Sequence, residues 1–258
     1  MGLRTALLQT DIEWGNPAAN RASAEEIIRG LRDTDIALLP EMFATGFMAS
    51  DTSLAEPPDG PSATWMRRTA AETGIAVAGS LIIRDNAGKP CNRFLFAFPD
   101  GRIAWYDKRH LFSFSGEDRH YAPGRRRVVV EYAGFRILPM VCYDLRFPVW
   151  SRNRSDYDAA VYVASWPAGR TGAWDALLRA RAIENQCYVL GINRVGNDPS
   201  ASYAGHSVAL DFFGTPLTGP LPDGQPGVLH AELDRAELDA FRERFRAWED
   251  ADSFSLTV

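Results

Sequence analysis

Cys142 is the residue of this 258-residue chain that could act as a nucleophile. It follows the apolar stretch 135–141, and the next segment, 143–150, can form a turn and begin a helix. A thiol at a strand-to-helix turn is exposed, held in one direction and close to backbone N–H groups that can bind a developing oxyanion. The alternative is that Cys142 is a small buried apolar side chain, as most free cysteines are.

Three further residues of catalytic type lie at or after the ends of predicted strands: Glu41, Lys108 and Glu117. A thiol with an ordinary pKa of about 8.5 needs a base to become nucleophilic near neutral pH. A carboxylate in a closed pocket can take that proton and return it to a leaving amine. A lysine ammonium and the backbone N–H of Tyr143 would stabilise the thiolate and the tetrahedral oxyanion. Taken singly, each charged residue is more simply a solvated strand end or turn. As a set, they predict acyl transfer from an amide or nitrile to water through a thioester.

Alternating strands and helices must position these residues. The sequence predicts strands at 3–9, 35–40, 75–84, 93–99, 103–108, 127–132, 135–141, 159–164, 188–193, 206–212 and 227–233, and helices at 17–31, 62–73, 147–154, 174–186 and 234–246. Short, almost wholly apolar strands such as 36–39 are typical of sheets covered on both faces. The expected fold is therefore α/β, with helices covering a mixed sheet or a pair of sheets. We expect one domain over residues 1–246, and a tail, 247–258, that could pack on a partner subunit.

Composition and charge exclude several classes of function. The net charge is −5 and the run Arg125–Arg127 is the only dense basic cluster, so a nucleic-acid surface is not expected. The chain begins with a strand-like segment and has no apolar run of 18 residues, which predicts neither secretion nor membrane spanning. Its three cysteines are widely spaced and its four histidines scattered, so we expect neither a disulfide framework nor a zinc site, and a reducing cytoplasm is the natural setting.

Three segments resemble the catalytic motifs of the nitrilase (carbon–nitrogen hydrolase) superfamily, in the order that this family has them. They are Leu39–Phe43 (LPEMF), Tyr106–Phe112 (YDKRHLF) and Val141–Pro148 (VCYDLRFP), and the segments 179–189 and 193–196 are similar to a later structural motif. The resemblance implies that Glu41 is the general base, Lys108 the stabiliser of the thiolate and oxyanion, Cys142 the nucleophile and Glu117 the family's second glutamate. It also implies a four-layer α-β-β-α sandwich that works without a cofactor or metal and forms a homodimer or a larger homo-oligomer.

The segments 116–121 and 164–167 resemble the bacterial omega-amidase group of that family. Those enzymes release ammonia from the distal amide of 2-oxo acid monoamides such as 2-oxoglutaramate or 2-oxosuccinamate. Such a substrate needs apolar walls and a cation for its free carboxylate. The candidates are Phe43, Phe112 and Trp166 for the walls and Arg170 for the cation, although aromatic residues near strand ends are often core residues.

Alternatives remain open from the sequence alone. The substrate, apart from water, could be another small amide, a carbamoyl-amine or a nitrile. Less simply, the chain could be a redox or binding protein whose Cys142 thiol is oxidised or ligated. We expect Cys187 to be buried and inert, and Arg146 to pair with a carboxylate such as Asp144 or Asp158 rather than touch substrate.

Overall fold

The computed structural model describes residues 2–256, which form two β-sheets packed face to face, with helices against their outer faces. In this part of the chain the strands are β1 (Gly2–Gln9), β2 (Ile36–Leu38), β3 (Ala76–Arg84), β4 (Pro90–Ala97), β5 (Ile103–Asp107), β6 (Val130–Tyr132), β7 (Phe135–Val141), β8 (Ala159–Ala164), β9 (Tyr188–Asn193), β10 (Val195–Asn197), β11 (Ser202–Ala204), β12 (Val208–Leu210) and β13 (Gly227–Asp234). The helices are α1 (Pro17–Gly30), α2 (Pro61–Thr73), α3 (Glu117–His120), α4 (Pro148–Ser151), α5 (Thr171–Asn185) and α6 (Arg235–Arg244). The predicted α/β class and the α-β-β-α sandwich are confirmed.

The directions of the strands place several strand ends at one edge of each sheet. The first sheet has the order β13-β1-β2-β3-β4-β5, and the second β12-β9-β8-β7-β6. In the first sheet β1, β2 and β3 are parallel, whereas β4 is antiparallel to β3 and β5 to β4. The carboxyl ends of β2 and β5 therefore lie at the same edge as the amino end of β4. In the second sheet β7, β8 and β9 are parallel, so their carboxyl ends also share an edge.

Both faces of the first sheet are buried, which explains its nearly continuous apolar strands. In β1, Leu3 and Leu7 point to the core between the two sheets, whereas Ala6 and Leu8 point to the core beneath α1 and α2. Because successive side chains of a strand alternate between faces, a strand with both faces covered must be apolar at nearly every position. Leu3 and Leu7 are fully buried, and each such side chain contributes about 1.5–3 kcal/mol to folding.

Local signals set the helix boundaries. Asn16 caps α1 by accepting a hydrogen bond from the N–H of Ala19 at 3.2 Å, and Pro17 occupies the first helical turn. Gly74 ends α2 with a left-handed φ of 72°, a conformation that glycine adopts without a steric cost. These are the residues that allowed both helices to be predicted closely.

Four segments differ from the prediction. The helix expected at 147–154 is only Pro148–Ser151, because the side chain of Asn153 turns the chain by accepting the N–H of Asp156 at 3.1 Å. The strand expected at 206–212 is only Val208–Leu210, and His206 precedes it with a left-handed φ of 61°. The β10–β11 hairpin was not predicted, and the loop at 109–126 contains α3.

The C-terminal segment begins with a 3-10 turn, Ala247–Asp250. Leu256 is partly buried against the core of its own chain, and the Arg154 guanidinium lies 4.4 Å from the ring centroid of Phe254. Packing of this tail on a partner subunit stays a prediction, and its last two residues, 257 and 258, lie outside the described residues. Within residues 2–256 there is no helix of the length and apolar character needed to cross a membrane.

Candidate active site

Strand ends from both sheets bring together the four residues that were named from the sequence. Glu41 and Lys108 follow β2 and β5 of the first sheet, and Cys142 follows β7 of the second. Glu117 begins α3, in the loop after Lys108. The side chains of Glu41, Lys108 and Glu117 are completely buried, and that of Cys142 is partly exposed.

Lys108 joins the two glutamates. Its ammonium Nζ lies 2.8 Å from Glu41 Oε1 and 2.8 Å from Glu117 Oε2. Nζ also lies 3.2 Å from Glu117 Oε1, so one N–H is shared between the two oxygens of Glu117. An ammonium group has three N–H donors, and the third remains for a thiolate or an oxyanion. The backbone N–H of Phe112 also donates to Glu117 Oε2, at 2.6 Å, which fixes the loop on the far side of the lysine.

Two residues that the sequence analysis did not name complete the surroundings of Glu41. Asn92 donates from Nδ2 to Glu41 Oε1 at 2.7 Å and to Glu117 Oε1 at 3.1 Å. Ser165, which follows β8, donates from its backbone N–H to Glu41 Oε2 at 2.9 Å. The sequence signal for Asn92 was a polar residue at the amino end of β4. Because β4 is antiparallel to β3 and β5, this end lies at the sheet edge where Glu41 and Lys108 lie.

The turn at Cys142 has a strained backbone that is held by Asp144. Cys142 has a φ of 45°, in the left-handed region that non-glycine residues rarely adopt, and such residues cost about 1–3 kcal/mol. The buried Asp144 carboxylate accepts the N–H of Val141 at 3.1 Å, the N–H of His110 at 2.9 Å and the hydroxyl of Tyr106 at 2.9 Å. These bonds fix the turn.

Burial and charge shift the pKa values of these groups. Burial and the neighbouring Glu41 carboxylate raise the pKa of the Cys142 thiol well above its usual range, although Lys108 opposes them. Burial alone would lower the pKa of Lys108, but the carboxylates of Glu117 and Glu41 reverse the effect, and the pKa is raised. Burial raises the pKa of Glu117, and Lys108 opposes that rise. The thiol is therefore neutral at rest and needs a base in contact with it.

The two other cysteines are placed as packing residues. Cys91 and Cys187 are buried, and burial raises the pKa of each thiol to about 12. Thiols with such values carry almost no thiolate near neutral pH. The expected burial of Cys187 is confirmed.

A pocket of about 190 Å³ opens onto the thiol. It is lined by Phe47, Phe112, Phe114, Ser115, Cys142, Tyr143, Arg146, Ser165, Trp166, Pro167, Arg170, Ser200, Ala201 and Tyr203. This volume is below the range of roughly 300–1,000 Å³ that is usual for drug-sized ligands, so the pocket suits a small substrate. A larger cavity of about 680 Å³ lies beside β5, but Cys142 does not line it.

Two side chains do not lie where the sequence analysis placed them. Phe43 is not a pocket wall: it is 2% exposed and packs on Trp65 in the core, with ring centroids 5.7 Å apart. The turn after Glu41 instead brings Phe47 to the pocket, with its ring centroid 5.2 Å from Lys108 Nζ. Arg146 is exposed to the pocket and stacks on Trp166 at 4.9 Å.

Arg146 does not pair with the carboxylates that the sequence suggested for it. Asp144 is held by His110 at 2.8 Å, and Asp158 by three other arginines. The other three residues suggested for the substrate pocket, Phe112, Trp166 and Arg170, line the pocket that opens onto Cys142, and their contact with a substrate stays a prediction.

Comparison with known proteins identifies the family. The sequence profile of the carbon–nitrogen hydrolases matches residues 4–243. The chain belongs to the carbon–nitrogen hydrolase family. It is 47% identical to an omega-amidase of Yersinia enterocolitica over 98% of both chains. It is also 35% identical to a 2-oxoglutaramate amidase of Bacillus subtilis, over 94% of this chain and 95% of that one.

A solved structure shows the same fold at close range. A carbon–nitrogen hydrolase superfamily protein of Xanthomonas campestris, whose crystal structure has an arsenic adduct in the active site, is 43% identical and covers 100% of both chains with a TM-score of 0.96. The resemblance of the three sequence motifs to this family is thereby confirmed. Membership of the family makes this protein an amidohydrolase.

Proposed function

We propose that this hydrolase is an omega-amidase, which removes the distal amide of a small 2-oxo acid monoamide such as 2-oxoglutaramate or 2-oxosuccinamate. The observation that carries the proposal is a pair of arginines, Arg146 and Arg170, that line the same pocket as Cys142, whose other walls are mostly apolar. Within residues 2–256 neither group has a salt-bridge partner. The relatives named omega-amidase and 2-oxoglutaramate amidase support the same substrate class.

Aromatic rings hold both guanidinium groups. Arg170 lies 5.3 Å from the ring centroids of Phe112 and Phe114, and Arg146 lies 4.9 Å from that of Trp166. A stacked guanidinium keeps its planar fork of donors free, and that fork matches a carboxylate in two-point contact. A substrate with a carboxylate at one end and an amide at the other fits this arrangement better than a neutral amide does.

In the proposed reaction, Glu41 takes the thiol proton while the sulfur attacks the amide carbon. The carbonyl electron pair moves to oxygen, and the resulting oxyanion is held by the free N–H of Lys108 and the backbone N–H of Tyr143. Glu41 returns the proton to nitrogen, the C–N bond breaks, and ammonia leaves a thioester on Cys142. Water then gives a proton to Glu41 and attacks the thioester, and the proton returns to the departing thiolate as the 2-oxo diacid forms. Glu117 holds Lys108 in place.

The raised pKa of the Cys142 thiol disfavours a redox sensor, because oxidation needs a standing thiolate. Other small amides, carbamoyl-amines and nitriles remain competing substrates, since the same thioester chemistry would serve them. A substrate panel decides among them.

The test measures ammonia release from 2-oxoglutaramate, glutamine, an N-carbamoyl amine and a small nitrile. We expect the highest kcat/KM for 2-oxoglutaramate. Arg146→Gln and Arg170→Gln should each raise KM roughly 10- to 100-fold, the loss of a hydrogen bond to a charged group. Arg67→Gln, on the exposed face of α2, is the matched control and should change nothing. A preference for the nitrile or the carbamoyl amine would overturn the assignment.

We also propose a cytoplasmic homo-oligomer built from one catalytic domain over residues 1–246. Three free thiols support a reducing compartment. Ile183, Phe213 and Phe245 are 51%, 54% and 59% exposed, and Phe213 and Phe245 both contact Phe241, which supports a shared apolar contact surface. A monomer in light scattering at micromolar concentration would contradict the oligomer.

A further inference from the structure

Asn92 contacts the carboxylates of both Glu41 and Glu117, yet it lies outside the three sequence motifs that contain Glu41, Lys108 and Cys142. It is completely buried at the amino end of β4. Its Nδ2 donates to Glu41 Oε1 at 2.7 Å and to Glu117 Oε1 at 3.1 Å. Its Oδ1 is buried with no hydrogen-bond partner among the described residues. Because an amide oxygen facing two carboxylates would be repelled, only this orientation of the amide is compatible with its neighbours.

The hydrogen bonds of Glu41 leave one acceptor position on its carboxylate free to take a proton. A carboxylate has about four acceptor positions, two on each oxygen. On Oε1 both are filled, by Lys108 Nζ at 2.8 Å and Asn92 Nδ2 at 2.7 Å. On Oε2 one is filled, by the N–H of Ser165 at 2.9 Å. The remaining position on Oε2 is the one acceptor left for the Cys142 thiol, whose pKa is raised by burial and by this neighbouring carboxylate.

Glu117 has no such free position. Its Oε1 accepts from Asn92 at 3.1 Å and from Lys108 at 3.2 Å, and its Oε2 accepts from Lys108 at 2.8 Å and from the N–H of Phe112 at 2.6 Å. All of these partners are donors, so a proton placed on Glu117 would meet no acceptor. The two carboxylates are therefore chemically distinct, although both touch the same lysine.

We propose that Asn92 is a positioning residue that makes this distinction: by filling Oε1 of both glutamates it directs the free acceptor of Glu41, on Oε2, to Cys142. The proposal rests on the proposed function of Glu41 as the general base. Asn92 supplies two N–H donors in one plane, which a hydroxyl or a single backbone N–H cannot do. Without it, Glu41 has an empty position on Oε1 and can rotate its acceptor away from the thiol.

The experiment compares Asn92→Leu, which keeps the approximate volume without a donor, with Asn92→Asp, which has the same shape. Two pH profiles are measured: the rate of Cys142 alkylation by iodoacetamide, and kcat/KM for the best amide. In Asn92→Leu the carboxylate form of Glu41 loses a donor, so the acid limb of both profiles should move up by about one pH unit. On that limb alkylation should slow about tenfold at a given pH.

Asn92→Asp should behave differently. While protonated, the introduced carboxyl group can donate one hydrogen bond, so the acid limb should stay close to that of the wild type. As it ionises beside two carboxylates, activity should fall, and a new basic limb should appear. This variant also supplies the test if Asn92→Leu does not fold.

Asn185→Leu is the matched control, because Asn185 is a buried asparagine on α5 whose side chain bonds to Asn153 and to the backbone of Arg181. It should lower Tm and leave both profiles unchanged. If the Asn92 variants likewise lower Tm and keep the wild-type profiles, Asn92 is only structural and the proposal is overturned. Alkylation of Cys142 needs no substrate, so it tests Asn92 independently of the substrate assignment. If the enzyme turned over none of the amides but Asn92→Leu still shifted the pH profile of alkylation, the substrate assignment would fail and the role of Asn92 would be supported.

Discussion

Replacing Lys108 by methionine should leave two buried carboxylates without a cation. Lys108, Glu41 and Glu117 are each 0% exposed, and the ammonium lies 2.8 Å from an oxygen of each glutamate. Removing one partner of a buried ion pair costs about 3–5 kcal/mol, because the remaining charge is neither hydrated nor paired. We therefore expect Lys108→Met to lower the free energy of unfolding by about that amount near pH 8, and to abolish amide turnover.

The pH dependence of this loss provides the sharper test. Without the ammonium, burial and mutual repulsion hold the folded-state pKa of Glu117 above its unfolded value of about 4.3. A group with a raised folded-state pKa contributes its stability below the unfolded pKa and loses it as the pH rises through the folded value. The stability difference between wild type and Lys108→Met should therefore be small near pH 5 and large near pH 8.

Urea denaturation followed by tryptophan fluorescence at about pH 5 and about pH 8 measures both quantities. The double variant Lys108→Met/Glu117→Gln is the control, since it removes one of the stranded charges and should recover part of the loss at the higher pH. A loss below about 1 kcal/mol that does not vary with pH would mean that the carboxylates are hydrated in the folded protein, and the buried ion triplet would be wrong.

Two further predictions follow from the placement of individual side chains. Phe43→Ala should lower the free energy of unfolding by about 3–5 kcal/mol through an unfilled core cavity and leave KM unchanged, whereas Phe112→Ala should raise KM with a smaller loss of stability. Denaturation midpoints and Michaelis curves distinguish the two outcomes. A raised KM in Phe43→Ala would show that its ring contacts the substrate. Asp144→Asn should lower kcat about 10- to 100-fold with little change in KM, because it removes a charged acceptor worth about 1.5–3 kcal/mol from the strained Cys142 turn. Steady-state kinetics with unchanged kcat would show that other contacts hold that turn.

The fold, and the strand ends at which Glu41, Lys108 and Cys142 lie, could be predicted because local sequence signals mark the strands and helices. Apolar strands, a proline after an N-cap asparagine and a glycine after α2 each set an element without tertiary information. Lys108 and Cys142 come directly after β5 and β7, and Glu41 lies three residues after the end of β2, so each of them lies at the carboxyl end of a strand.

The rest depended on contacts between distant parts of the chain. Arg146 was expected to pair with Asp144 or Asp158, but Asp144 is occupied by residues 34 and 38 positions away, and Asp158 by arginines up to 84 positions away. Phe43 and Phe47 could not be told apart either, since the choice depends on the left-handed φ of 46° at Met42, a residue that rarely adopts it. Asn92 could be placed only once the register of β4 against its neighbours was known.

The site joins the two sheets as well as performing chemistry. Glu41 belongs to the first sheet, yet its carboxylate accepts the N–H of Ser165 from the second, and its own N–H reaches the carbonyl of Ala164 at 3.4 Å. A newly made chain whose sheets have not yet docked therefore has Cys142 apart from Glu41 and Lys108. Under the proposed mechanism such a chain cannot turn over amides, so activity is acquired in the same step that completes the fold. Docking of the sheets also raises the pKa of the thiol through burial and the Glu41 carboxylate, so the folded protein carries less thiolate than the undocked chain.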